Sequence, residues 1–169
     1  VDKVIPMLPK QLSNGVCSLN PFEDKLTLSC IMEIDENGKV VNSEIAETVI
    51  NSKARMTYTE VSDILEKDDE KLKQTFAKQV EDFKNAEKLA RILMKRRERR
   101  GAIDFDFPEA KIILNREGKV VDIKCYERRI SNKMIEEFML VANETVAEHF
   151  YWLQLPFVYR IHETPSAEK

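Results

Sequence analysis

Cysteine and histidine are too scarce in this chain to build a disulfide framework or an obvious metal site. The 169 residues hold three cysteines and two histidines. Cys17, Cys30 and Cys125 form no CxxC pair, and their odd number points to reduced thiols in a cytoplasmic setting. His149 and His162 lack metal-ligand spacing. His149 precedes Phe150, Tyr151 and Trp152 and reads as a packed residue near a helix end. No apolar run approaches the ~18 residues that a membrane span needs, and no signal peptide opens the chain. GxGxxG, P-loop and GxSxG motifs are absent, which removes the common nucleotide-binding and serine-hydrolase signatures. Neither sign of charge dominates: 27 Lys and Arg face 30 Asp and Glu, for a net charge of −3. Nucleic-acid binding by overall positive charge is thereby excluded, and only a local basic patch could serve.

What is present is ordinary globular material, 43% hydrophobic and 34% charged, long enough for one core. The first residue is Val1 rather than Met, which suggests a piece of a longer gene product. Residues 4–20 are rich in Pro, Ser, Asn and Gly and read as a loop with a short helical turn. "LTLSCIMEI" (26–34) and "VVNSEIAETVI" (40–50) read as a hairpin across the turn "DENGK". "EAKIILNREGKVVDIKC" (109–125) reads as a second hairpin, and the shared "GKVV" is common hairpin chemistry rather than a duplication. Between them, "TEVSDILEK" predicts a helix, followed by a long helix over about 69–100 with an acidic start, a basic end and Gly101 as its stop. A final helix is expected from an N-cap at Ser131 to about Gln154, ended by Pro156 and followed by a strand "FVYRIH". The fold class is α+β: two β-hairpins and a final strand packed with long amphipathic helices, with no linker.

Three stretches could carry chemistry. In "DFDFPE", Asp104, Asp106 and Glu109 could offer oxygen ligands to Mg²⁺. An alternating half-exposed strand accounts for the same pattern, and is the favoured reading. The run "KRRERR" (95–100) either satisfies the end of a helix or contacts phosphates, with Tyr58 and Phe105 as candidate stacking aromatics. In the last helix, at about 100° per residue, Ile135, Met139, Ala142, Val146 and Phe150 form an apolar stripe widened by Met134 and Phe138. Glu137, Glu144 and Glu148 should point away from it. Glu136 instead flanks the stripe, in a seam with Asn132 and Asn143.

The segments "VIPMLPKQLSNGVCSLNP", "LTLSCIMEID", "SKARMTYTEV", "RRGAIDFDFPEAKIIL" and "SNKMIEEFMLVANETVAEHF" resemble, in order and over nearly the whole chain, the catalytic domain of the ribonuclease R and ribonuclease II family. The bacterial ribonuclease R branch is the nearer one. The resemblance implies a processive hydrolytic 3′→5′ exoribonuclease that threads single-stranded RNA and releases nucleoside 5′-monophosphates with Mg²⁺. It implies that Glu136 and Tyr58 hold the terminal ribose and that Phe105 belongs to an aromatic clamp on the last bases. Asn143 would bind RNA and orient Glu136. By the same resemblance the aspartate-rich metal motif, the partner of the clamp and the catalytic arginine fall outside residues 1–169. The chain is thus expected to be the central portion of such a domain, to bind no Mg²⁺ and to be inactive by itself. Exposed β edges could let it pair with another copy. The alternative is a catalytically inactive RNA-binding or protein-interaction module with the same fold.

Overall fold

In the computed structural model, the described residues are 5–103 and 109–161, except the side chains of 109, 111 and 126. They form two separate two-stranded antiparallel sheets and four helices, an α+β arrangement. Strands β1 (Asp24–Ile34) and β2 (Val40–Asn51) make the first hairpin, β3 (Glu109–Leu114) and β4 (Val120–Tyr126) the second. Helices α1 (Tyr58–Glu66), α2 (Glu70–Thr75) and α3 (Val80–Arg99) lie between the hairpins in sequence, and α4 (Ile130–Trp152) follows them. The expected turn in the N-terminal loop is one wide helical turn at Gln11–Val16.

The two hairpin turns share one chemistry. Asp35 Oδ1 accepts from the backbone N–H groups of Asn37 and Lys39 at 2.9 and 2.8 Å. Asn115 Oδ1 does the same for Glu117 and Lys119, both at 2.9 Å. Each turn then passes through a glycine in the left-handed region, Gly38 (φ 82°) or Gly118 (φ 80°), where a side chain would be strained.

Three expectations fail locally. The helix expected over 69–100 is two helices, separated by a tight turn in which Phe76 N–H reaches the Leu72 carbonyl and Gln79 N–H the Phe76 carbonyl. No Gly or Pro marks this break, and α1 packs against both pieces. The strand expected at "FVYRIH" is not one: residues 157–161 are irregular, with Phe157 stacked on Phe150 at a centroid distance of 4.7 Å. His162 lies outside the described residues. Ser131 does not cap α4. That position belongs to Arg129, whose backbone N–H donates to the Asn132 side chain, while Glu66 of α1 accepts from Ile130 N–H at 3.0 Å. A carboxylate at the positive end of the helix serves it better than a hydroxyl.

The core is small and sits between α1, α3 and α4. Its buried apolar side chains are Val61, Ile64, Ala90, Leu93, Met134 and Val141. The face that α4 turns inward is Ser131, Met134, Glu137, Val141 and Thr145. This corrects the expected stripe, which lies roughly a third of a turn away. Ile135 and Met139 are about half exposed, at 50% and 55%, whereas Glu137, expected to face solvent, is 4% exposed. Helix α4 therefore carries two apolar faces, and only one is covered by the described residues. The first hairpin repeats this. Leu26 and Leu28, with Val49 opposite Leu26, share an exposed face, while Thr27, Ser29 and Thr48 hydrogen-bond to one another on the other.

Candidate nucleic-acid interface

Of the candidate residues, Tyr58 opens α1 and Glu136 lies in the second turn of α4, two helices that pack against each other. Thr57 caps α1, accepting from Glu60 N–H, while the Glu60 carboxylate accepts from Thr57 N–H in return. Tyr58 follows as the first helical residue, half exposed. Its carbonyl accepts from Ser131 Oγ at 2.8 Å, and Ser131 Oγ lies 2.7 Å from Ser62 Oγ. Because the Ser131 proton goes to Tyr58, Ser62 must donate to Ser131, and Ser62 Oγ in turn accepts from Ser131 N–H at 3.3 Å. The buried hydroxyls are thus satisfied, and they pin the start of α4 to the start of α1.

Charges reinforce the joint. Arg129 Nη2 sits 2.7 Å from both Asp63 Oδ1 and Glu66 Oε2. Hydrogen bonds from Lys67 and then Arg129 hold the Asp63 carboxyl below its ordinary range. Partial burial pushes Glu66 up, but the Ile130 N–H and Arg129 outweigh it and leave Glu66 lowered as well.

Tyr58 borders a groove of about 640 Å³, walled mainly by Met56, Val61, Phe83, Met134, Ile135 and Phe138. It is apolar with a few polar groups at its edge, the character of a site for an aromatic or sugar-bearing ligand. Glu136 stands next to the wall residue Ile135, on the outer side of α4. Arg128 holds it: Nη2 lies 2.6 Å and Nε 3.1 Å from Glu136 Oε2. Sequence reasoning missed Arg128, because a residue outside the helix has no periodic relation to one within it. Asn143, expected to orient Glu136, is exposed and seven residues on, ~10 Å along the axis, too far to touch the carboxylate. Phe105, Asp104 and Asp106, and the side chain of Glu109, lie outside the described residues.

The basic run serves mainly structure. Arg97 Nε pairs with buried Glu137 at 2.8 Å, Arg100 reaches Glu144 at 3.2 Å, and Arg99 donates to the Asn37 carbonyl at 3.1 Å. Three of its five cations thus tie α3 to α4 and to the first hairpin. His149 packs edge-on against Phe150, as a helix-end residue.

Among the described residues no three His, Cys, Asp or Glu side chains converge to hold a metal ion. Glu136, taken by an arginine, does not fit the multi-carboxylate set that Mg²⁺ requires. The three cysteines are unpaired, and no described helix is long and apolar enough to cross a membrane.

Both the sequence and the fold have known relatives. The family model described as RNB domain matches residues 1–169. Ribonuclease R 1 of Lactococcus lactis is 49% identical over 168 residues, covering 99% of this chain and 20% of the relative. Ribonuclease R of Thermotoga maritima is 49% identical over 173 residues, covering 99% of this chain and 24% of the relative. The solved structure of Mycoplasma genitalium ribonuclease R in complex with ribose-methylated single-stranded RNA superposes with a TM-score of 0.89 at 30% identity, over 98% of this chain and 26% of that one. The match runs the full length of the sequence and the fold is shared: this chain belongs to the RNB domain family.

Proposed function

We propose that these residues are the central portion of an RNB-type catalytic domain, in a processive hydrolytic 3′→5′ exoribonuclease that acts on single-stranded RNA and releases nucleoside 5′-monophosphates. In that protein α1 and α4 form one wall of the RNA channel, and Tyr58 and Glu136 hold the 3′-terminal ribose. Asn143, on the same outer seam of α4, meets RNA farther along. Phe105 stacks on the last bases.

The observation that carries this reading is the placement of Glu136: a carboxylate held by an arginine, on the helix that walls the apolar groove bordered by Tyr58, and next in sequence to the wall residue Ile135. An ionised carboxylate only accepts hydrogen bonds. The 2′-hydroxyl of ribose donates one, and it is the group that separates RNA from DNA. Relatives support the substrate class, since solved ribonuclease R structures hold ribose-methylated single-stranded RNA and double-stranded RNA. A Mg²⁺ ion, held by carboxylates beyond residues 1–169, would supply the activated water.

The uncovered faces of α4 and of the first hairpin fit the same proposal, as surfaces packed inside a larger domain. The 169-residue chain alone should then leave 5′-labelled RNA intact in the presence of Mg²⁺. It should also self-associate through those faces, which sedimentation at several concentrations would read. The decisive test uses the full-length protein and compares RNA ending in a 2′-hydroxyl with the same RNA ending in a 2′-deoxynucleotide. Loss of a hydrogen bond to a charged acceptor costs about 1.5–3 kcal/mol, so wild type should prefer the ribose end by roughly ten- to hundredfold. Glu136→Ala should remove most of that preference, and Tyr58→Ala should weaken it. Undiminished preference in Glu136→Ala would reject the site. A full-length protein that binds RNA but never shortens it would favour the inactive-module alternative.

A further inference from the structure

We infer that Arg128 is the positioning residue of this site: it fixes the Glu136 carboxylate so that one oxygen is held and the other is presented to the ribose. The inference rests on the ribose-binding reading above. Both contacts that Arg128 makes with Glu136, Nη2 at 2.6 Å and Nε at 3.1 Å, fall on Oε2. Oε1 accepts no hydrogen bond among the described residues, although the side chain is 36% exposed. An acceptor is thus oriented on one side and open on the other.

The backbone explains why Arg128 can do this. Arg129 is extended (φ −87°, ψ 176°), so consecutive side chains leave the chain in opposite directions. Arg129 turns toward α1 and pairs with Asp63 and Glu66. Arg128 turns the other way and reaches along the outside of α4 to Glu136. Anchoring of Arg129, together with the bond from Ile130 N–H to Glu66, fixes the segment from which Arg128 projects. The arginine's planar guanidinium sets an angle that a lysine's point charge would not.

The test measures, in the full-length protein, the ratio of kcat/KM for RNA with a terminal 2′-hydroxyl to that for RNA with a terminal 2′-deoxynucleotide. Arg128→Ala should lower this ratio roughly tenfold, the size expected when a charge-assisted contact is disordered. Adding Glu136→Ala to Arg128→Ala should lower it little further, because both act through one hydrogen bond. Arg128→Lys should restore part of the ratio. A merely structural role would slow both substrates alike and leave the ratio unchanged, and that result would overturn the inference. If Arg128→Ala does not fold, Arg128→Gln carries the same test with a shorter, polar and uncharged side chain. If Glu136→Ala itself keeps the wild-type ratio, the ribose-binding reading falls and takes this inference with it. If Glu136→Ala lowers the ratio and the Arg128 variants do not, only the role of Arg128 is overturned.

Discussion

Replacing Arg97 with Met tests whether burial or exposure governs the joint between α3 and α4. Arg97 Nε is 2.8 Å from Glu137 Oε1; the arginine side chain is 27% exposed and that of the glutamate 4%. Removing the cation strands a buried carboxylate, which typically costs about 3–5 kcal/mol. A gap of about 30 Å³ lies beside the pair, lined by Leu93, Leu140 and Glu144 among others, and is large enough to admit one water. That water would relieve part of the penalty, so the low end, ~3 kcal/mol, is expected. Hydrogen exchange of amides 130–152 in the full-length protein should then quicken by roughly 150-fold where exchange follows opening free energy. The double variant Arg97→Met/Glu137→Leu should recover most of the protection, since a buried ion pair exchanged for apolar groups of similar volume is often neutral or better. Exchange in Arg97→Met within about threefold of wild type, ~0.7 kcal/mol, would refute the argument, because an exposed pair contributes no more than that.

The α1–α4 joint should loosen in acid. Asp63 and Glu66 are both lowered from ordinary values of 3.8 and 4.5, so the folded state binds fewer protons than the unfolded one. Their contribution is complete above the unfolded values and is lost as pH falls below about 4.5 through the lowered folded values. The melting temperature of Asp63→Asn/Glu66→Gln should therefore lie below wild type at neutral pH and converge with it in acid; a gap that widened in acid would contradict this. The two turn glycines should differ. Gly38→Ala would place a Cβ 3.3 Å from Arg96 and Ile92, whereas nothing lies within 4 Å of one at Gly118. Both substitutions meet left-handed strain of about 1–2 kcal/mol, so Gly38→Ala should lower the melting temperature more than Gly118→Ala, and equal shifts would show that α3 yields freely.

The amino-acid sequence determined by itself what rests on near neighbours. Asp35 with Gly38, and Asn115 with Gly118, specify their turns through bonds spanning four residues or fewer, and both hairpins form where the pattern placed them. The helix read over "TEVSDILEK" and the stop at Gly101 (φ 87°) were legible for the same reason. So was family membership, which depends on the order of whole segments. Tertiary structure decided what depends on distant partners. Helix α4 carries two apolar faces, and periodicity finds both without choosing between them. The choice fell to the face holding Glu137, because Arg97, forty residues earlier, brings the charge that lets a carboxylate be buried. Ser131 became part of a hydroxyl knot instead of a cap because Ser62 and the Tyr58 carbonyl come within reach of it. Glu136 was visible as a carboxylate in an unusual place. Arg128 was not, since an ion pair between a loop and a helix leaves no period in the sequence; only the folded chain brings those two charges to 2.6 Å.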